Sequence, residues 1–187
     1  MTYISNKISR RAALAGLAAF AAGPAFALTT AEAKSLVNTM VSEINGIIAS
    51  GKSEAAMIRD FEKVFARYGD VPAIARSALG PPARSLSSSQ LNSYTDAFQG
   101  YMSRKYGKRF REFAGGRIEV QNAREAGRFF EVSTRVFLPG SSPFNLTFVV
   151  SNRSGRDKFV NILIEGVNML ATERVEITAL LDRNRGN

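Results

Sequence analysis

The chain has 187 residues, with 25 Lys and Arg, 16 Asp and Glu, and neither His nor Cys, so its formal net charge is +9. Without His and Cys it contains no Ser-His-Asp or Cys-His catalytic system, no disulfide, and no His- or thiolate-based metal site. This length suits one domain with a sizeable core.

Residues 1–27 have the pattern of a cleaved export signal peptide. A basic start at residues 7–11 precedes an apolar run at 12–22 and an A-x-A cleavage site at 25–27. The apolar run is too short to span a bilayer. We therefore predict cleavage after this site, by the twin-arginine or the general export route. Residues 28–187 are then a single domain, and losing three basic residues and no acidic one lowers its net charge to +6.

Four helices are predicted next, because each segment has an apolar stripe at helical spacing and a glycine or proline at its end. The first starts at a capping box formed by Thr29 and Glu32, and the fourth starts at the serine run 87–89. The predicted helices cover residues 29–50, 53–69, 70–80 and 87–115.

A sheet of four mostly antiparallel strands is predicted after the helices. Apolar and polar residues alternate along 129–138, with Pro-, Gly-, Ser- and Asn-rich turns between this strand and the two that follow. One face of 129–138 carries Phe130, Val132, Thr134, Val136 and Leu138. The predicted strands cover residues 118–120, 129–138, 144–150 and 159–164, and a last helix is predicted from residue 170. Helices, antiparallel strands and a final helix in this order indicate an α+β fold.

The charge of the mature chain favours certain partners. In an exported protein, a net +6 suits anionic lipid headgroups or acidic protein surfaces, and we expect no nucleic-acid partner. Basic residues cluster towards the end of the fourth predicted helix, at Arg104, Lys105, Lys108, Arg109 and Arg111.

A carboxylate pair would be the remaining means of general acid–base chemistry. The candidates fall mostly on the polar sides of the apolar stripes, where carboxylates are ordinarily solvated. These candidates are Glu62, Asp96, Glu112, Glu131 and Glu165. We therefore predict a protein that is not an enzyme, with no catalytic residue, no metal and no cofactor. The bulky apolar side chains fit either a filled core or a ligand cavity.

Three segments of the chain resemble one known family. Residues 164–168, Ile-Glu-Gly-Val-Asn, are followed by a helix with Arg174 and resemble the "IEGVS…R" ending of the MlaC, or toluene-tolerance auxiliary, family. Residues 68–80 resemble that family's "Y-x-D-x-x-x-[IM]-A-R-x-x-L-G" segment. The helix that follows resembles the family's "S-x-x-Q…F…Y…Y" pattern at Ser87, Gln90, Phe98, Tyr101 and Tyr106.

The chain also departs from the family pattern at four positions. Asp157 and Asn161 stand where the family often has Trp and then Asp, Asn168 replaces the usual Ser, and Ala83 stands where Trp is common. These departures concern ligand detail and partner choice more than the fold.

The MlaC family consists of periplasmic phospholipid-binding proteins of Gram-negative bacteria. The resemblance implies a soluble phospholipid carrier in the periplasm, which moves lipid between an inner-membrane ABC transporter complex and an outer-membrane lipoprotein–porin complex and maintains outer-membrane lipid asymmetry. It also implies a nuclear-transport-factor-like cone of helices and sheet around a hydrophobic pocket. Three alternatives stay open: a carrier of another hydrophobic ligand such as a hopanoid or solvent, an enzyme of the nuclear-transport-factor-like fold, and an envelope scaffold with a filled core.

In the carrier interpretation, acyl chains lie between the sheet and the helices. We expect the apolar face of 129–138 to form a ligand wall, with Phe148 and Val150 opposite it on the neighbouring strand. The expected lipid-binding residues are Phe61, Val64, Phe98, Tyr101, Met102, Phe130, Val132, Val136, Phe148, Val150, Ile162 and Met169.

Overall fold

The computed structural model describes residues 28–186, and within them the chain forms five α-helices and one five-stranded antiparallel sheet. The prediction of an α+β fold is confirmed, and the nuclear-transport-factor-like cone stays a prediction. The predicted signal peptide and its cleavage site lie outside the described residues. Among the helices of this range, none has the length and apolar character needed to cross a membrane.

The helices begin where the sequence supplies capping residues. Before α1, the Glu32 N–H donates to the Thr29 hydroxyl, and the Thr29 N–H donates to the Glu32 carboxylate over 2.8 Å. Ser87 and Gln90 form the same capping box before α4. The helices are α1 Thr30–Ile48, α2 Glu54–Tyr68, α3 Val71–Leu79, α4 Ser88–Gly107 and α5 Met169–Arg183.

Helix α4 ends at Gly107, earlier than predicted, and a 3₁₀ turn at Lys108–Arg111 follows it. Glycine weakens a helix, and here it also allows a close approach to α2. A β-carbon at Gly107 would lie 2.8 Å from Cγ1 of Ile58, so a larger residue would push α2 away. A second 3₁₀ turn, Pro81–Arg84, joins α3 to α4.

The sheet has five strands in chain order, so the prediction of four strands is wrong. The additional strand pairs with its predecessor through a tight turn at Glu165 and Gly166, whose φ angles are both positive at 48° and 79°. A two-residue strand is too short to show an alternating pattern, which is why the sequence does not reveal it. The strands are β1 Arg117–Ala126, β2 Phe129–Phe137, β3 Phe144–Ser151, β4 Lys158–Ile164 and β5 Val167–Asn168.

The strand register agrees with the predicted hairpin between β2 and β3. Val132 pairs with Phe148 and Phe130 with Val150, as expected. Strand β1 is longer than predicted because a register shift between Val120 and Ala123 interrupts its alternation.

Helix α1 packs across β1 and β2, and hydrogen bonds made by one of its side chains join it to β1. The Asn45 side-chain amide donates to the Ile118 carbonyl over 2.9 Å, and its Oδ1 accepts from the Ile118 N–H over 3.0 Å. On the other side, α3 packs on α4, α5 and β4, and the Asp70 N–H donates to the Phe159 carbonyl over 2.9 Å. A space remains between these helices and the inner faces of β3 and β4.

Candidate functional site

A cavity of about 350 Å³ lies between the inner faces of β3 and β4 and the helices. The lining residues of β3 alternate along the strand, since such side chains share a face, whereas a register shift in the β3–β4 pairing breaks the alternation on β4. The sheet wall consists of Phe144, Leu146, Phe148, Phe159, Asn161, Ile162 and Ile164, with Ile118 and Leu138 beside it. The helix wall consists of Met40, Ile44, Phe61, Val64, Phe65, Ile74, Met102, Met169 and Leu170, with Phe113 beyond α4.

Aromatic rings form one end of the cavity. The Phe159 ring lies 5.9 Å from Phe65 and 5.8 Å from Phe148, measured between centroids, and the second pair is edge-to-face. Phe61 stacks on Phe65 at 6.4 Å. Ring pairs at these distances stabilise one another beyond the apolar area they bury, so this end is a wall of packed aromatic rings.

The cavity reaches the surface beside the 3₁₀ turn at Lys108–Arg111. Arg109 and Glu112 line it there, and both side chains are exposed. Arg104 and Lys108 are exposed nearby on the end of α4 and the turn, whereas Lys105 of the same basic cluster is half-buried and ion-paired. The opening therefore carries an exposed cation and an exposed carboxylate.

Six of the twelve predicted lipid-binding residues line this cavity: Phe61, Val64, Met102, Phe148, Ile162 and Met169. The other six do not line it, and three of them belong to β2, on which α1 packs. Phe98, Val132, Val136 and Val150 are 0–2% exposed, Phe130 packs at the edge of the core, and Tyr101 is half-buried. The assignment of all twelve to lipid binding stays a prediction.

A buried carboxylate lies in the wall of this otherwise apolar cavity. Glu173 of α5 is 1% exposed and lines the cavity. Its Oε1 accepts from Lys105 Nζ over 2.7 Å and from the Tyr106 hydroxyl over 2.5 Å. Lys105 also donates to Glu176 over 2.6 Å. These bonds join the end of α4 to the first half of α5.

Two polar atoms beside this network lack partners. Glu173 Oε2 and the Tyr94 hydroxyl are buried and make no hydrogen bond to any part of the chain that the structure describes. Burial, with the nearby Glu173 carboxylate, raises the pKa of Tyr94 to about 12. Burial and the hydrogen bond to Glu173 raise the pKa of Tyr106. Although burial opposes it, the bonds to Glu173 and Glu176 raise the pKa of Lys105.

Glu173 is absent from the carboxylates singled out in the sequence, although a signal for it exists. It lies four residues after Met169 and four before Ile177, so it occupies the apolar stripe of α5. Thr134, the one polar residue expected on the inner face of 129–138, instead donates its hydroxyl to the Leu146 carbonyl over 2.8 Å. Between residues 28 and 186, no group of three acidic side chains is placed to hold a metal ion.

Comparison with known proteins identifies relatives of this chain. The model of the family described as MlaC protein matches residues 34–187. The fold is similar to that of a phospholipid-binding protein from Ralstonia solanacearum, solved in complex with a phospholipid. The TM-score is 0.71 at 17% sequence identity, over 82% of this chain and 89% of that one. A search of curated proteins finds no match.

Proposed function

Because this chain belongs to the MlaC family, we propose that it is a phospholipid carrier that holds acyl chains in the cavity between β3, β4 and the helices. The observation that carries the proposal is the cavity itself, which has 18 apolar side chains among its 23 lining residues and an opening beside Arg109. The phospholipid complex of the Ralstonia solanacearum protein, which has a similar fold, supports the same ligand class.

The energetics suit a carrier. Each methylene taken out of water gains about 0.8 kcal/mol, and a bilayer offers nearly the same gain. An apolar cavity therefore competes with the membrane without trapping the lipid, and exchange in both directions stays possible. No catalytic group is needed for this, and we infer binding and transport without a reaction.

The cavity is at the lower end of the size range of ligand pockets, which is roughly 300–1,000 Å³. A lipid with two long chains requires the walls to move apart or leaves part of a chain outside. Three methionines, Met40, Met102 and Met169, line the cavity. Their flexible thioether side chains adapt to different ligand shapes. We infer that the cavity enlarges when the lipid enters.

We further propose that the carrier works in the periplasm, as residues 28–187 after removal of the signal peptide. There it would exchange lipid with an inner-membrane ABC transporter complex and an outer-membrane lipoprotein–porin complex and so maintain outer-membrane lipid asymmetry. The mature net charge of +6 supports docking to acidic surfaces. The intact mass of the exported product should show Leu28 as its first residue, and retention of residues 1–27 in the cytoplasm would contradict the proposal.

The test of the ligand is direct. The exported protein is purified, its bound lipid is extracted with organic solvent, and the extract is identified by mass spectrometry beside that of an unrelated periplasmic protein purified in the same way. We expect phospholipid in near-stoichiometric amount from this chain alone. A hopanoid or another apolar molecule would favour the alternative carrier, and an empty protein would favour an envelope scaffold.

A further inference from the structure

The cavity wall contains one acceptor that nothing in the described chain satisfies. Glu173 lines a cavity whose other walls are mostly apolar, and its Oε2 is buried and receives no hydrogen bond from residues 28–186. The other carboxylate oxygen, Oε1, already accepts hydrogen bonds from Lys105 and Tyr106. The hydrogen bonds to Glu173 that join α4 to α5 therefore use only Oε1, and Oε2 takes no part in them.

An unsatisfied buried carboxylate oxygen is costly, because the group has left water without receiving a donor in exchange. Buried polar atoms in native proteins nearly always have partners. Tyr94 does not supply one, since its hydroxyl is also without a partner in the described residues. A ligand with an N–H or O–H that donates to Glu173 Oε2 would offset this free-energy cost of burial.

The position of Glu173 fits a headgroup rather than the end of an acyl chain. Tyr106, which donates to Glu173, lines the same cavity as Arg109. These two residues are about one helical turn, or roughly 5 Å, apart along the chain. Arg109 is exposed at the opening, where a guanidinium suits a phosphate. Glu173 thus lies just inside the place where a headgroup would sit.

We propose that Glu173 Oε2 accepts a hydrogen bond from the bound lipid, so that the cavity selects lipids whose headgroup carries an N–H or O–H donor. This inference rests on the proposed carrier function. The donors are the ammonium of phosphatidylethanolamine or a hydroxyl of phosphatidylglycerol. Phosphatidylcholine has neither, because its nitrogen is fully methylated.

The experiment offers the delipidated protein vesicles that contain the three lipids in equal amounts with identical oleoyl chains. The protein is separated from the vesicles, and its lipid is measured by mass spectrometry. We expect the donor-bearing lipids to exceed phosphatidylcholine about tenfold or more, the ratio that a hydrogen bond to a charged acceptor provides.

Glu173→Gln tests the residue. The glutamine carbonyl can accept from Lys105 and Tyr106 as Oε1 does, which leaves the NH₂ group in the position of Oε2 and replaces the acceptor by a donor. We expect the headgroup preference to fall to about onefold with lipid still bound. Glu176→Gln is the matched control, because Glu176 binds the same Lys105 but does not line the cavity. It should keep the preference.

Each outcome supports or contradicts the proposed hydrogen bond between the lipid and Glu173. Enrichment of phosphatidylethanolamine alone identifies the ammonium as the donor. Enrichment of both lipids that Glu173→Gln abolishes shows that a hydroxyl serves as well, because attraction of the anionic phosphatidylglycerol by net charge alone would persist in the variant. Equal binding of all three lipids by the wild type, or a preference that persists in Glu173→Gln, overturns the inference but not the carrier function. Failure to bind any of the three lipids contradicts the carrier function itself.

Discussion

Lys105 of α4 and Glu173 of α5 form an ion pair of 2.7 Å in which the carboxylate is 1% exposed and the lysine side chain 26% exposed. The pair lies between the surface, where Glu176 also binds Lys105, and the apolar cavity that Glu173 lines. The pair therefore joins α4 to α5 beside the cavity, and its carboxylate is part of the cavity wall.

Removing the lysine should destabilise the fold. Lys105→Met leaves the buried Glu173 with the Tyr106 hydroxyl as its remaining donor, and an uncompensated buried charge costs about 3 kcal/mol or more. Urea unfolding measures the loss. Arg104→Met, at an exposed position one residue earlier, is the control and should stay within about 0.5 kcal/mol of wild type. Equal stability of the two variants would show that the ion pair contributes nothing.

Enlarged side chains should separate the cavity wall from the packed core. Ile162→Trp projects into the cavity, so we expect a thermal midpoint near that of delipidated wild type and a sharp loss of co-purified lipid. Val132 is 0% exposed in the part of the sheet that α1 covers. Val132→Trp should cost about 1–3 kcal/mol or more, because the core has no space for the ring. A stable Val132→Trp that lacks lipid would instead place β2 in the ligand wall.

Two tyrosine hydroxyls with different surroundings give a matched pair. Tyr94→Phe removes a buried hydroxyl that has no partner in the described chain, so stability should stay unchanged or rise by up to about 1 kcal/mol. Tyr106→Phe removes a donor to Glu173 and should lower stability by about 2 kcal/mol. Thermal and urea unfolding of both variants provide the comparison. A destabilised Tyr94→Phe would mean that its hydroxyl has a partner in solution.

Stability should fall at high pH. Burial raises the pKa of Tyr94 from 10.0 to about 12, and it also raises that of Tyr106. Unfolded tyrosines lose their protons near pH 10, whereas the folded ones keep theirs, so the unfolded state is favoured as pH rises from about 10 towards 12. Urea midpoints measured from about pH 9 to 11.5 should show the decline. The decline should be shallower in Tyr94→Phe, and an identical slope would contradict the burial of this hydroxyl.

Docking to the proposed transporter complex should depend on charge. Lys108 is exposed beside the cavity opening, and Arg128 is exposed in the turn at the far end of β1. Lys108→Glu should weaken association with the purified transporter complex more than Arg128→Glu, although both change the net charge equally. Association should also weaken as salt rises to physiological strength. Equal effects of the two variants would mean that only net charge matters.

The local structure could be predicted because its signals are local. Capping residues such as Thr29 and Ser87 lie next to the helices they start, and the alternation in 129–138 fixes both its inner face and its partners on β3. The two-residue β5 and the early end of α4 depend on one turn and one close contact, at Glu165–Gly166 and at Gly107. Neither leaves a periodic pattern in the sequence.

The candidate site could be predicted only in part. Phe148 and Val132 face the same side of the sheet and pair with each other, yet only Phe148 lines the cavity. The difference arises from where α1 lies, which depends on contacts such as Asn45 with Ile118, 73 residues apart. Glu173 could have been found, since a carboxylate in an apolar helical stripe is unusual.

The placement of α1 over β1 and β2 also bears on how this chain could be redesigned. Most residues that pack beneath α1 and most residues that line the cavity are different residues, so the two sets can be varied independently. A library restricted to Leu146, Ile162, Ile164 and Met169 would reshape the cavity while Asn45 and the strands beneath α1 keep the scaffold intact. Such a library is a practical route to containers for dyes, sterols or drugs of chosen size.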